Sequence, residues 1–157
     1  MARTSTDYIV VHCSATRPGT DIGAAEIDRW HQDRGWRGIG YHAVIRLDGT
    51  VEPGRGLDEV GAHCASHNRV SVGVCVVGGV GEDGKPACTI TDVQQVALRG
   101  LLAAWQQRWP DAEVLGHRDL SPDLDNDGVI GSHEWQKACP SFDVRHWLNT
   151  GNAEFAP

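Results

Sequence analysis

The chain has 157 residues, 40% hydrophobic and 22% charged, the balance of a globular domain long enough to bury its own core. Lys and Arg number 14 against 21 Asp and Glu, a formal charge of -7 that argues against a broad basic face for nucleic acid. No apolar run approaches membrane-spanning length, and five cysteines at irregular spacings make a poor disulfide framework.

The opening MARTSTDYIVVHCS holds only a short apolar run, so synthesis in the cytoplasm without a classical export signal is expected. Residues 8–13 (YIVVHC) read as a buried strand. Alternation puts Tyr8, Val10 and His12 on one face and Ile9, Val11 and Cys13 on the other, so His12 and Cys13 do not easily serve one site. Residues 22–34 read as a helix with Ile27 and Trp30 on its apolar side, stopped near Gly35. Residues 41–47 and 50–53 form a hairpin around Asp48-Gly49, and 72–77 (VGVCVV) is a further apolar strand.

Thr91 to Arg108 is the clearest helix. Thr91 and Gln94 make a capping box, and Val93, Ala97, Leu101 and Trp105 recur at helical spacing. Residues 113–116 form a short strand leading to His117. A last helix is expected from Pro140, with Phe142, Val144 and Trp147 as its apolar residues. Interleaved strands and helices predict an α/β fold, a single mixed central sheet flanked by helices in one domain over 1–157.

There is no CxxC pair, so any metal site must gather ligands from distant segments. His12 and His117 end strands, and Cys139 lies where a helix dipole would favour a thiolate. Two His and one Cys leave a fourth position open, as in catalytic zinc sites. Eight histidines and five cysteines allow many other triplets, and spacing does not choose among them.

VHCSAT, GIGYHAVIRLDGTVEPGR, GAHCASHNRVSVGVCVVGG, LGHRD and KACPSFD follow one another from about Tyr8 to Trp147. This ordered set resembles the bacteriophage-lysozyme branch of the N-acetylmuramoyl-L-alanine amidase and peptidoglycan-recognition family. The resemblance implies a catalytic Zn2+ held by His12, His117 and Cys139, with Tyr41 and Lys137 assisting hydrolysis of the N-acetylmuramic acid–L-alanine bond. Zinc would lower the pKa of a bound water towards ~7 and polarise the carbonyl. Tyr41 would position or help deprotonate that water. Lys137, two residues from Cys139 in an extended segment, would face the same cleft and stabilise the oxyanion. His63 matches a cleft position and, with Asn68, is a candidate substrate contact. His31, His133 and His146 receive no site role, and Cys13 and Cys75 read as small buried apolar residues.

The stretch between His117 and Cys139 is long for a phage-type member. Within this insertion, about 119–136, Asp123, Asp125, Asp127, Gly128 and Glu134 fit D-x-D-x-D-G-x5-E, an EF-hand-type calcium loop. Val129 would add its backbone carbonyl. Pro122 stands where an entering helix would end and there is one copy, so the expectation is a structural Ca2+ clip that fixes His117, Lys137 and Cys139, not an EF-hand domain.

The partner expected is bacterial peptidoglycan, met by a monomer without stable membrane insertion after holin-type or other release. The alternatives are a non-catalytic recognition module, a regulator of a protein partner, an interbacterial toxin or a wall-recycling amidase. The Cys ligand argues against the first, because a binding module has no need of an open zinc.

Overall fold

The structure is a computed structural model and describes residues 1–155. The strands are β1 (Tyr8–Cys13), β2 (Ala43–Ile45), β3 (Val51–Pro53), β4 (Ser71–Val76) and β5 (Glu113–Gly116). The helices are α1 (Ala24–Asp33), α2 (Asp92–Arg108) and α3 (Val144–Thr150), joined by short 3-10 turns at 68–70, 117–120 and 132–134. One five-stranded sheet runs β3-β2-β4-β1-β5. β1, β2, β4 and β5 are parallel, and β3 closes the edge antiparallel to β2, so the expected mixed sheet forms.

β1 lies between β4 and β5 and is apolar on both faces, as a central parallel strand must be. Ile9 and Val11 face the larger core, with Val72, Val74, Leu98, Leu102, Phe142 and Trp147, beneath α2 and α3. The opposite face carries a smaller core of Ile22, Ile27, Val44, Cys75 and Val77, with Tyr41 packed against it, beneath α1. His12 opens onto this second face.

Three sequence expectations shift. On α1 the buried partner of Ile27 is His31, 5% exposed, whereas Trp30 is 39% exposed. Residues four apart share a helix face, and His31 is satisfied there because its Nδ1 accepts the Gly40 N–H at 2.9 Å. On α2 the buried stripe is Gln94, Leu98, Leu102 and Trp105, while Val93 is 53% exposed. Gln94 is the cause. Its Oε1 accepts the Thr91 N–H in the cap, and its Nε2 donates to the Val77 carbonyl at 2.9 Å, so a polar side chain anchors the inward face. Finally, α3 begins at Val144 with Asp143 as its N-cap, so Pro140 opens a turn and no helix dipole points at Cys139.

The two readings of α2 separate by mutation. Leu98→Ala is expected to cost about 2–5 kcal/mol of stability, and Val93→Ala no more than about 0.5 kcal/mol. Urea unfolding of the two variants measures the difference, and the reverse order would restore the stripe through Val93.

Candidate metal centre and cleft

His12 ends β1 and His117 follows β5 directly. Val11 is in register with Gly116, so the two histidines leave the sheet side by side, their ring centres 4.7 Å apart. Cys139 is brought to them by the turn after β5. The Arg118 N–H donates to the Cys139 carbonyl at 2.8 Å, and a Cβ on Gly116 would sit 2.7 Å from the Pro140 ring. Only glycine at 116 lets the two turns approach this closely.

Ligand atoms of His12, His117 and Cys139 lie within 4.8 Å of one another, and His12 Nδ1 is 3.7 Å from Cys139 Sγ. Burial pushes the His12 pKa well below its ordinary value, helped by His63, His117 and Lys137 nearby. Burial also lowers His117, to about 4, with Lys137 contributing. Both rings are therefore neutral near pH 7, the form that binds a metal. The Cys139 thiol is pushed well up by its hydrogen bond with the Cys13 thiol and by desolvation. It is a neutral thiol until a cation compensates its charge. Cys13 stays outside the trio, as its face of β1 predicts. Its Sγ lies 4.0 Å from Ser141 Oγ, and its backbone N–H donates to Cys139 Sγ at 3.2 Å.

Beside the trio lies a cleft of about 320 Å³, lined among others by Trp36, His63, His67, Asn68, His117 and Lys137. Lys137 is exposed on its rim. Tyr41 takes a different position. It does not line this cleft, and its ring packs on His12 at 5.1 Å and His31 at 5.5 Å between centres. Burial raises its pKa well above the usual phenol value, so it is a protonated O–H donor. Asn68 is committed to the cleft wall, its Oδ1 accepting the N–H groups of His63 and Cys64 at 2.8 and 2.9 Å. Sequence reasoning passed over Trp36, which is 41% exposed at the cleft and packs at a tilt on His31, 4.6 Å between ring centres. Its signal was an aromatic in a glycine-flanked loop, RGWRG, with no helical stripe to absorb it.

In the 119–136 stretch, carboxylates of Asp123, Asp125 and Asp127 lie within 4.8 Å of one another, and Asp125 also joins a group with His133 and Glu134. Asp123 accepts the N–H groups of Asn126 and Gly128, and Asp127 that of Val129. Glu134 is 3% exposed and accepts the N–H groups of Leu124, Asp125 and Gly131. His133, given no role from sequence, has Nε2 3.2 Å from Asp125 Oδ2.

The model of the N-acetylmuramoyl-L-alanine amidase family matches residues 2–141. The chain belongs to that family. The amidase is 43% identical over 149 residues to an endolysin of Enterobacteria phage K11, covering 95% of this chain and 89% of that one. It is 41% identical to the endolysin of Escherichia phage T7, covering 92% and 87%. Among solved structures, the endolysin amidase LysCS from Clostridium intestinale superposes with a TM-score of 0.70 at 26% identity, covering 92% and 84%. The chain is thus an amidase of the phage type, with a peptidoglycan-degrading, lytic function. Among the described residues no helix is long and apolar enough to cross a membrane.

The amidase steadies its site with a neutral histidine next to Tyr41. The Gly73 N–H can only donate, so His42 Nδ1 accepts it at 3.0 Å. The ring proton then sits on Nε2 and is donated to the Glu59 carbonyl at 3.0 Å. Burial lowers the His42 pKa from 6.5 to about 4. The unfolded chain thus takes up this proton at a higher pH than the folded one. The contribution to stability is complete above about pH 6.5 and is lost as pH falls towards 4. From pH 7 to pH 5 His42 should account for a loss of about 2 kcal/mol. His42→Asn keeps an acceptor at the Nδ1 position and should flatten the pH dependence by that amount. Urea unfolding of metal-free protein at the two pH values measures it, and an unchanged slope refutes the assignment.

Proposed function

We propose that this one-domain chain is a zinc-dependent endolysin, acting as a monomer, that hydrolyses the amide between N-acetylmuramic acid and L-alanine in bacterial peptidoglycan. One observation carries the reading. His12, His117 and Cys139, from three distant segments, converge within 4.8 Å beside a cleft rimmed by Lys137. Two neutral imidazoles and one thiol suit zinc, and three protein ligands leave a coordination position open. Bound zinc supplies a Lewis acid that polarises the scissile carbonyl and makes water nucleophilic near neutral pH.

The chain's own groups do the rest. Lys137, exposed on the rim, offers an ammonium to the oxyanion that develops on the carbonyl. Tyr41 is a protonated phenol against His12, which suits it to orient the attacking water through its O–H and not to take a proton at the start. The wall with His63 and Asn68 is the proposed contact for the substrate at the glycan–peptide junction. The phage relatives named endolysins support the lytic role, which needs holin-type or other release to reach the wall.

Chelation should abolish digestion of purified peptidoglycan and added zinc should restore it. Cys139→Ser should remove activity with the fold retained, and Lys137→Ala should lower kcat about 10²–10³-fold. Mass spectrometry should show new L-alanine amino termini. New reducing sugar ends, or wild-type digestion by Cys139→Ser, would contradict the reading.

We also propose that the 123–134 loop binds calcium through Asp123, Asp125, Asp127, the Val129 carbonyl and Glu134. The gathered Asp carboxylates and the buried Glu134 support this. Zinc-loaded protein in calcium-free buffer should bind one calcium ion by calorimetry. Its stability should rise by about 2.7 kcal/mol at a hundredfold excess over Kd. No heat together with an unchanged melting temperature would remove the proposal.

A further inference from the structure

His63 makes a contact that its place in the cleft wall does not explain. His12 has two ring nitrogens, and both are engaged. Nδ1 is turned to Cys139, 3.7 Å from its Sγ, and Nε2 is turned to His63 Nδ1 at 3.0 Å. A nitrogen that ligates a metal must offer a lone pair, so the proton of the neutral His12 ring sits on Nε2. That N–H can only donate, and His63 Nδ1 must accept it. The His63 proton is thereby placed on Nε2, which faces Ser71 Oγ at 3.5 Å. The Ser71 hydroxyl spends its own proton on the His67 carbonyl at 2.7 Å, leaving an oxygen lone pair for His63. The chain ends on a carbonyl, which only accepts, so one proton arrangement satisfies every member.

The fold makes room for this ring. A Cβ on Gly73, in β4, would lie 2.7 Å from His63 Cγ and Nδ1, and a Cβ on Gly61 would lie 2.5 Å from His63 Cδ2. Two missing side chains therefore form the cradle in which the imidazole rests. The third restraint is Asn68, which holds the His63 backbone N–H at 2.8 Å. His63 is not a member of the ligand trio, and its accepting nitrogen points at the far side of His12.

We propose that His63 is a positioning residue for the metal: its Nδ1 accepts the Nε2–H of His12, fixes that ring's orientation and tautomer, and so presents His12 Nδ1 to zinc. This rests on the zinc reading of the trio. It differs from a substrate contact in what it predicts, because partners of this kind act on metal affinity, where their loss typically costs 10–100-fold.

The test compares zinc affinity, by competition with a chromophoric chelator, in wild type, His63→Ala and His63→Asn. His63→Ala should bind zinc about 10–100-fold more weakly. His63→Asn puts an amide oxygen at the Nδ1 position and should recover most of the loss. In zinc-loaded wild type, nitrogen-15 spectra should show the His12 proton on Nε2. Unchanged zinc affinity in His63→Ala, with a raised KM, overturns the inference and leaves a plain substrate contact. Equal weakening in both variants also overturns it, since an acceptor at that position would then be irrelevant. Failure of wild type to bind zinc at all overturns the zinc reading itself, an outcome distinct from tight wild-type binding that His63→Ala does not disturb.

Discussion

β1 is paired on both sides, along six residues with β4 and four with β5, and the two histidines of the proposed zinc site take their positions from that double pairing. Neighbouring strands stand about 4.8 Å apart, and the His12 and His117 rings are separated by 4.7 Å. The agreement follows from register. Val11 pairs with Gly116, so the next residue of each chain leaves the sheet at the same level. On the other side Val10 pairs with Gly73, the residue that makes room for the His63 ring. A slip of one residue in β1 would turn His12 to the opposite face and bring Cys13 in its place. That slip would also push the His12 imidazole into the apolar core beneath α2 and α3, and the cost of burying it there opposes the slip.

The same burial acts in opposite directions on the two ligand types. It lowers the pKa of His12 and His117 and so keeps both rings neutral. It also helps raise that of the Cys139 thiol, together with the hydrogen bond to Cys13. The imidazoles are ready to bind, whereas the thiol must lose a proton when a cation arrives. The His12, His117 and Cys139 side chains are thus all neutral before a cation arrives, and the hydrogen bond that raises the Cys139 thiol lowers that of Cys13, to about 7. Lys137 remains outside on the rim, where water solvates its ammonium.

Much of this architecture was readable in the chain. β1 and β4 are legible as short apolar runs, β5 as a short strand before His117, and α2 by its capping box. The face of α2 was misread because the residue that sets it, Gln94, is polar and is buried by hydrogen bonds that no hydropathy pattern contains. The same holds for His31, which displaces Trp30 from the core by accepting a backbone N–H. The gathering of His12, His117 and Cys139 lay beyond the reach of spacing, since segments more than a hundred residues apart at their extremes meet only through parallel pairing and the turn after β5. Ordered motifs supplied it. The contact between His12 and His63 was hidden for the same topological reason, and depends on glycines whose significance is the side chain they lack.

The turn after β5 qualifies the part assigned to the acidic loop. The Arg118 N–H holds the Cys139 carbonyl, and the Gln136 N–H donates to Ser121 Oγ at 3.1 Å. These bonds close the neck of the 119–136 excursion on the side nearest the trio. Once a loop's ends are pinned, lengthening it costs little and disturbs its base little. His117 and Cys139 are thus set by the neck, and an ordered acidic loop is not required to bring them together. Lys137 is placed otherwise. It follows Gln136 directly, lies between the two neck contacts, and is the one member of the proposed machinery whose position depends on how firmly the excursion is held.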